Sequence, residues 1–455
     1  MRTFAGEDAR KNAAPEKIAQ YVDTLKQMVD CKTVYTEDHA NQAEYEKFYR
    51  VLERSFPLLH QKAERLTFGS GCFVYYIHGR DAAQNVMLMS HHDVVDGGDG
   101  WETDPFDAVE KDGSLWGRGT IDTKTPLFAE LQACEELLAE GYEFPGLDLY
   151  IGSSNNEETC GDGMLLATDY FRQKGIHFSV VLDEGGAITT GMIPGVQQKS
   201  AMVAVHEKSR HIYRCKTTLN TKGHGGLNPN KDNALIRMSQ FISEVSRAKI
   251  YKGSFSPEVK ATFTEHAPYM SFPLNVLFGH FGLFGALIRQ IMLRIPQTSA
   301  MLSTEISFTS LFAGDKLDAQ VKAKTVDATM FLRCVREDDL LQGLEKIRTI
   351  GAKYGVEITE ELRDYCEPTD FSARPYQVLK EVLNTNFPDV IVAPFLLTAG
   401  TDARRFTGIA DSILRFAPID LDKAQYASIH SANEHIKTRN VGQCVCFYKD
   451  FVQKI

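Results

Sequence analysis

Residues 86–93 read Val-Met-Leu-Met-Ser-His-His-Asp, a short apolar run followed at once by polar residues. The run has the length and composition of a buried strand, so its polar residues fall where a parallel sheet opens at the carboxyl ends of its strands. Ligands of open α/β sheets bind at that edge. His91 and Asp93 are two residues apart, which suits a metal ligand and the group that orients it. On its own such a triplet is more often a loop histidine beside a solvated aspartate, so the rest of the chain decides its meaning.

The same order of strand, polar end and helix recurs along the first part of the chain. A strand at 73–77 is predicted as the neighbour of residues 86–89, and strands at 147–151 and 178–182 end in acidic residues. This order is typical of a doubly wound α/β sheet, whose parallel strands open at one edge. Two further residues are expected at this edge: Asp122, in a glycine-flanked turn, and His430, in a loop near the end of the chain. The full set of side chains expected there is His91, Asp93, Asp122, Glu157, Glu158, Asp183, Glu184 and His430.

Six carboxylates at one edge of a sheet repel one another, and burying each of them unpaired is costly. Two divalent metal ions would neutralise them. Imidazoles with carboxylates form a ligand set that suits zinc, with cobalt and manganese as alternatives, and the absence of thiolates argues against a purely structural site. Two metals about 3.5–4 Å apart and bridged by a carboxylate promote hydrolysis. Because Glu157 and Glu158 are adjacent, one can bind metal while the other stays free as a general base.

The pattern changes near residue 202, where antiparallel strand patterns alternate with two amphipathic helices until about residue 361. An α+β domain inserted into the first domain is therefore expected. The predicted boundaries are 1–202 and 362–455 for the two parts of the catalytic domain and 203–361 for the insertion.

Six motifs in order carry a resemblance that covers nearly the whole chain. They are Ser-His-x-Asp-Val-Val from residue 90, Gly-Arg-Gly-x-x-Asp-x-Lys from 117, Glu-Glu at 157, Asp-Glu-Gly from 183, Gly-His-Gly-Gly from 223 and His-x-x-Asn-Glu from 430. The chain resembles the co-catalytic di-zinc metallopeptidase family of aminoacylases, Gly-X and glutamate carboxypeptidases, dipeptidases and succinyl-diaminopimelate desuccinylase. The resemblance implies a three-layer αβα catalytic domain with a mostly parallel or mixed sheet. It also implies that the insertion is a ferredoxin-like lid or dimerisation domain, and hence a homodimer.

The resemblance implies a role for each polar residue at the sheet edge. The implied metal ligands are His91 and Glu184 on one metal, Glu158 and His430 on the other, and Asp122 bridging both. Asp93 would orient His91, and Glu157 would be the general base. Asp183 is the alternative to Glu184 as the ligand after its strand.

Three further residues are implied to act on the substrate. His224 would reach an active site, typically the partner subunit's, and donate to the developing oxyanion; the alternative is a surface histidine in a glycine turn. Arg333 would grip a substrate carboxylate, unless it is a surface arginine beside Glu337 and Asp338. Thr401 belongs to a Gly-Thr-Asp turn that lines the substrate site. Residues 302–305 and 316–320 depart from the family's pattern, so the natural substrate stays open.

The predicted activity is metal-dependent hydrolysis of an amide bond in a small peptide or an N-acyl amino acid. The rival is a non-hydrolytic relative that binds metal or peptide in the same pocket. A structural scaffold would not explain six carboxylates at one edge.

Composition and net charge limit the classes of binding partner and the cellular location that can be expected. The net charge of -10 argues against nucleic acid and anionic lipid as partners. Nine cysteines and the polar start of the chain favour the cytoplasm. Residues 270–296 are apolar, but their uninterrupted part is shorter than the ~20 residues of a membrane span. They are expected to form a buried or interface helix pair in the lid, with no membrane partner, and to offer a hydrophobic acyl pocket.

Overall fold

The computed structural model describes residues 4–219, 232–313 and 323–455. The helices are α1 (Pro15–Val29), α2 (Gln42–Ser55), α3 (Pro57–Lys62), α4 (Lys124–Ala139), α5 (Gly163–Lys174), α6 (Ala234–Arg247), α7 (Pro257–His266), α8 (Leu274–Gly279), α9 (Phe281–Met292), α10 (Pro296–Ala300), α11 (Glu337–Tyr354), α12 (Arg374–Asn386), α13 (Lys423–Ser428) and α14 (Thr438–Lys454). The strands are β1 (Glu64–Phe68), β2 (Cys72–Ile77), β3 (Gln84–Met89), β4 (Val109–Lys111), β5 (Ser114–Trp116), β6 (Leu147–Ser153), β7 (Val180–Asp183), β8 (Ile188–Thr189), β9 (Ser200–Glu207), β10 (Ser209–Thr218), β11 (Glu305–Phe312), β12 (Thr325–Cys334), β13 (Val356–Asp364), β14 (Ile391–Leu397), β15 (Ile413–Arg415), β16 (Asp420–Leu421) and β17 (His435–Lys437). Among the described residues, no helix has both the length and the apolar character needed to cross a membrane.

A ten-stranded mixed sheet forms the centre of the catalytic domain, in the order β1-β2-β6-β3-β7-β15-β9-β8-β16, with β14 paired to β9. β6, β3, β7 and β15 run parallel, whereas β1 and β2 pair antiparallel at one end. The prediction that the strand at 73–77 neighbours residues 86–89 is wrong, because β6 inserts between β2 and β3. Both β2 and β3 carry buried apolar side chains, so composition alone does not reveal their partners.

Helices cover both faces of this sheet. On one face α1, α4, α12 and α14 pack against the apolar side chains of the central strands and form the largest core. On the other face α5 packs through Met164 and Phe171. The three-layer αβα architecture predicted for the catalytic domain is therefore confirmed.

The inserted domain is an antiparallel four-stranded sheet in the order β11-β12-β10-β13. α6 and α11 pack on it through buried Met238, Phe241, Leu344 and Ile347. The chain order β10-α6-β11-β12-α11-β13 with this strand order is the ferredoxin-like arrangement. β9, which spans the predicted boundary at 202/203, lies in the large sheet, so the large sheet continues to Glu207 before the insertion begins.

The apolar residues 270–296 form two helices, α8 and α9, as predicted. Their buried side chains pack with α7 and with Ile391 and Leu396 of β14. They therefore lie against the large sheet of the catalytic domain, and the expectation of a helix pair in the lid is wrong.

A third, three-stranded sheet has the order β17-β5-β4. β5 pairs antiparallel with β17 from His435 opposite Trp116 to Lys437 opposite Ser114. The turn that follows β5 carries Asp122, and the loop that precedes β17 carries His430. Their pairing brings two distant parts of the chain to one place.

Candidate active site

Three neighbouring parallel strands deliver the first side chains of the site. His91 and Asp93 follow β3, Glu157 and Glu158 follow β6, and Glu184 follows β7. In the sheet β6 and β7 flank β3 on its two sides. All five residues therefore leave the sheet at one edge, as the sequence predicts.

Asp122 is the centre of the cluster. Its Oδ1 lies 3.0 Å from His91 Nε2, and its Oδ2 lies 3.0 Å from His430 Nε2. The same His430 nitrogen is 3.1 Å from Glu158 Oε2. One atom from each of His91, Asp122 and Glu158 falls within a 4.8 Å group. Two imidazoles thus face the two oxygens of one carboxylate, which is the arrangement that a carboxylate bridging two cations requires.

The electrostatics of this cluster also fit cations. Burial raises the pKa of Asp122, but hydrogen bonds with His430 and His91 outweigh it and hold the pKa well below its ordinary value. Hydrogen bonds to Asp122 and Glu158 raise the pKa of His430 to about 10. Without metal, protonated His430 supplies part of the positive charge that divalent metal ions would supply to the carboxylates. The mixed set of imidazoles and carboxylates fits two such metals.

Asp183 and Glu184 differ in what their carboxylates contact. Asp183 accepts hydrogen bonds from the backbone N–H groups of Glu184 and Ala403, both at 2.9 Å. Burial and the charges of Asp183 and Asp122 raise the pKa of Glu184 well above its ordinary value. Because Asp183 uses both oxygens on the backbone, whereas the Glu184 carboxyl group makes no hydrogen bond or ion pair within the described residues, Glu184 is the better placed of the two to bind metal.

Asp93 holds the loop that carries the two glutamates. Its carboxylate oxygens accept hydrogen bonds from the backbone N–H of Glu157 at 3.1 Å and of Glu158 at 3.0 Å. His91 Nδ1 lies 2.9 Å from the Asp93 carbonyl oxygen and 3.5 Å from its Oδ1. Asp93 therefore touches the backbone of both glutamates as well as His91, although its carboxylate is the more distant partner of the imidazole.

Glu157 and Glu158 have different surroundings, although they are neighbours in sequence. The Glu158 carboxylate contacts His430, whereas that of Glu157 makes no hydrogen bond or ion pair within the described parts of the chain. Burial raises the pKa of Glu157 well above its ordinary value, and the negative charges of Asp402 and Glu184 add to the shift. A free carboxyl group with a raised pKa is suited to accept and release a proton.

Sequence reasoning gave no role to Glu434 and Arg118, although both stand in the quoted motifs. Glu434 is buried, and its Oε2 accepts a hydrogen bond from Arg118 Nη1 at 2.6 Å. Its Oε1 accepts from the backbone N–H of Ile121 at 2.7 Å and of Asp122 at 3.1 Å. Glu434 thus ties the loop of His430 to the turn of Asp122. The Asn-Glu end of the late motif was the signal for it.

His92, the residue between His91 and Asp93, packs behind the cluster. Its ring stacks on Phe48 with centroids 5.2 Å apart, and its Nδ1 lies 2.8 Å from Ser153 Oγ. The ring is fully buried among aromatic side chains, so it supports β3 from behind the cluster.

The predicted substrate residues lie at the junction of the two domains. Arg333, at the end of β12, donates to the carbonyl oxygen of Thr398 at 3.2 Å. Its guanidinium lies beside Gly400, where a Cβ atom would stand 3.6 Å from Nη1. Thr401 is buried, and its hydroxyl donates to Glu207 at 2.9 Å, so its side chain supports this turn. His224 and residues 316–320 lie outside the described residues.

The fold and this cluster define the protein as a metallohydrolase, with candidate metal ligands at the carboxyl edge of an α/β sheet and a lid domain beside it. The chain belongs to peptidase family M20/M25/M40, whose family model matches residues 87–454. It is 28% identical over 442 residues to the N-fatty-acyl-amino acid synthase/hydrolase PM20D1 of Mus musculus, covering 95% of this chain and 87% of that protein. It is also 28% identical to the probable carboxypeptidase S-like 2 of Dictyostelium discoideum, covering 90% and 80% of the two chains.

A solved structure shares the fold. It is that of a dinuclear metal-binding peptidase of the same family from Bacillus subtilis, with a TM-score of 0.60, 10% identity, and coverage of 97% of this chain and 100% of that one. The family and fold class predicted from the motifs are confirmed. The protein is an enzyme that hydrolyses amide bonds in small substrates.

Proposed function

We propose that the protein hydrolyses N-acyl amino acids that carry an apolar acyl group. The observation that carries the proposed chemistry is the difference between two adjacent glutamates: the Glu158 carboxylate joins the ligand cluster, whereas the Glu157 carboxyl group has no hydrogen bond or ion pair to any described residue. The acyl amino acid is favoured because the mouse relative is named an N-fatty-acyl-amino acid synthase/hydrolase.

The residues of the chain divide the reaction between them. Glu157 accepts a proton from the attacking water as the water oxygen bonds to the amide carbon. It then passes this proton to the amide nitrogen as the carbon–nitrogen bond breaks, so a carboxylic acid and a free amine leave. Asp93 fixes Glu157 through the backbone, at 3.1 Å from its N–H, and keeps the base in reach of the water.

Zinc is the proposed metal. The ligands would be His91 and Glu184 on one ion, Glu158 and His430 on the other, and Asp122 bridging both. When bound, such a pair polarises a carbonyl and lowers the pKa of water. Imidazole with carboxylate suits zinc, and cobalt or manganese would also fit.

Arg333 is proposed to bind the α-carboxylate of the substrate. Its guanidinium is half-buried at the junction of lid and catalytic domain, and burial lowers its pKa. A bidentate carboxylate would satisfy the guanidinium there.

N-acyl amino acids with a free carboxylate are therefore expected to be hydrolysed better than their C-terminal amides. A hydrogen bond to a charged group contributes about 1.5–3 kcal/mol, so kcat/KM should fall roughly 10- to 150-fold on amidation. In Arg333→Ala the ratio of kcat/KM for the acid to kcat/KM for the amide should approach one. The variant of a neighbouring arginine, Arg336→Ala, should keep the wild-type ratio. Equal rates for acid and amide in the wild type would contradict this role.

A second candidate function is carboxypeptidase action on small peptides, which the relative named probable carboxypeptidase S-like 2 favours. Arg333 would serve it equally, because both substrates end in a free carboxylate. A panel that compares N-acyl amino acids of increasing chain length with dipeptides separates the two. Rates that rise with acyl length support the proposed function, and rates confined to dipeptides support the second.

Removal of metal is expected to abolish hydrolysis, and zinc is expected to restore it. A bound metal pair would polarise the carbonyl and lower the pKa of the attacking water, and the imidazolium of His430, which balances the carboxylates when metal is absent, does not coordinate water or a carbonyl in this way. Elemental analysis before and after treatment with EDTA should show two ions per chain lost and regained in step with turnover. Turnover that persists without metal would exclude the mechanism, and substrate binding without turnover in the metal-loaded protein would favour the non-hydrolytic alternative.

Two expectations stay predictions. A homodimer in which His224 enters the partner's site is proposed from the family resemblance. A cytoplasmic location is proposed from the nine cysteines, all of which are free thiols.

A further inference from the structure

The helices α8, α9 and α10 lie in a segment without acidic residues. Residues 267–304 contain no Asp or Glu, although the chain carries 60 acidic residues and a net charge of -10. One side of the segment is packed, since Phe278 stacks on Phe263 of α7 with centroids 4.8 Å apart, and Ile288 and Met292 are buried. The other side faces solvent.

The solvent side is apolar. Leu283, Leu287 and Ile291 recur every fourth residue and form one stripe along α9, with Leu283 77% and Leu287 53% exposed. Phe272, before α8, is 81% exposed. The exposed apolar face comprises these four residues with Val276 and Ile295. Six exposed large apolar side chains within 24 residues of sequence indicate a site of protein or membrane contact.

A basic groove lies beside this face. It is a cavity of about 700 Å³ between the carboxyl end of α6 and α9, and four cations line it: Lys249, Lys252, Arg289 and Arg294. None of its lining residues is acidic. Its other wall is formed from residues 245–252, a stretch that also contains no Asp or Glu. The local charge is thus opposite to that of the whole chain.

We propose that the exposed apolar face and the basic groove dock the protein on an anionic lipid surface, with α9 lying in the plane of the interface. An apolar stripe with flanking cations is what such helices present to the acyl and headgroup layers. The expectation of no lipid partner rested on net charge, which averages over surfaces of opposite sign. The acidic remainder of the chain would be repelled by the lipid and would orient this face toward it.

A second copy of the chain fits this surface less well. A two-fold interface places the same patch of each subunit against the other. The basic grooves would then come together without any acidic residue in their walls to offset them. Charge complementarity therefore favours an anionic surface, and this inference does not depend on the substrate of the enzyme.

Vesicle co-sedimentation of the full chain tests the proposal. Binding is expected to vesicles of phosphatidylcholine with phosphatidylserine, to be much weaker with phosphatidylcholine alone, and to weaken with salt. Each of Lys249→Ala and Arg294→Ala should cost about fivefold in affinity, and Leu283→Glu with Leu287→Glu should cost more than tenfold. The matched control is Leu341→Glu on α11, where the leucine is 50% exposed, and it should bind as the wild type does.

The competing outcomes are distinct. Thermal melting shows whether a variant that fails to bind is still folded, which is expected because Leu283 and Leu287 are exposed. Absence of wild-type binding to anionic vesicles, or undiminished binding of the double leucine variant, would overturn the proposal. A wild-type dimer in solution that Leu287→Glu dissociates would assign the face to a second copy instead.

Discussion

Glu157→Gln is expected to lower kcat by about 10²- to 10⁴-fold while both metal ions stay bound, because a positioned general base contributes about that much. Glutamine keeps the size of the side chain but cannot accept a proton. The wild-type carboxyl group makes no hydrogen bond or ion pair within the described residues, so its replacement disturbs no contact seen there. Steady-state kinetics on an N-acyl amino acid, with elemental analysis of the same samples, measures both quantities.

Glu158→Gln is the matched control, since the two residues are adjacent. Its carboxylate lies 3.1 Å from His430 Nε2, and its loss should reduce metal content as well as turnover. A Glu157→Gln enzyme with unchanged kcat would show that another group moves the proton. Loss of metal from Glu157→Gln would show that Glu157 is a ligand and that the roles of the two glutamates are exchanged.

The sequence predicts the strand ends of the site because the physics of a parallel sheet is local. An apolar run followed by polar residues marks the carboxyl end of a buried strand, and such ends meet at one edge. His91, Glu157 and Glu184 could be assigned to that edge without knowing the strand order. The error over the neighbour of β3 left the site unaffected, since β6 and β7 also deliver their residues there.

What the sequence leaves undetermined depends on contacts between distant segments. The strands β5 and β17 have three residues each and show no period that could be read, yet their pairing brings Asp122 to His430. The exposure of one face of α9 could not be predicted either. An apolar helix has the same sequence pattern whether its second side is buried or exposed to solvent. In both cases the missing information is the identity of the partner segment.

Glu434→Ala is expected to destabilise the protein by about 3–5 kcal/mol, because it leaves the buried Arg118 without its charged partner. It should also lower metal content and turnover. Glu434 accepts hydrogen bonds from the backbone N–H of Asp122 at 3.1 Å and of Ile121 at 2.7 Å, and these fix the turn that presents the Asp122 carboxylate. Urea unfolding measures the loss of stability. Elemental analysis of the folded protein, at a temperature below its unfolding transition, measures the loss of metal separately.

Asp389→Ala is the matched control, because it removes another buried carboxylate that pairs with an arginine but does not contact the turn of Asp122. Asp389 is buried with Arg10, at 2.6 Å from its Nη2, and joins the N-terminal segment to the loop before β14. Its loss should lower the unfolding midpoint but leave metal content and kcat unchanged. If both variants lose metal equally, general destabilisation is the cause and Glu434 has no positioning role. If only Glu434→Ala loses metal while folded, the buried carboxylate acts on the site through the turn of Asp122. The glutamate of the late motif then serves the same site as its histidine, because His430 contacts the Asp122 carboxylate while Glu434 holds the Asp122 backbone.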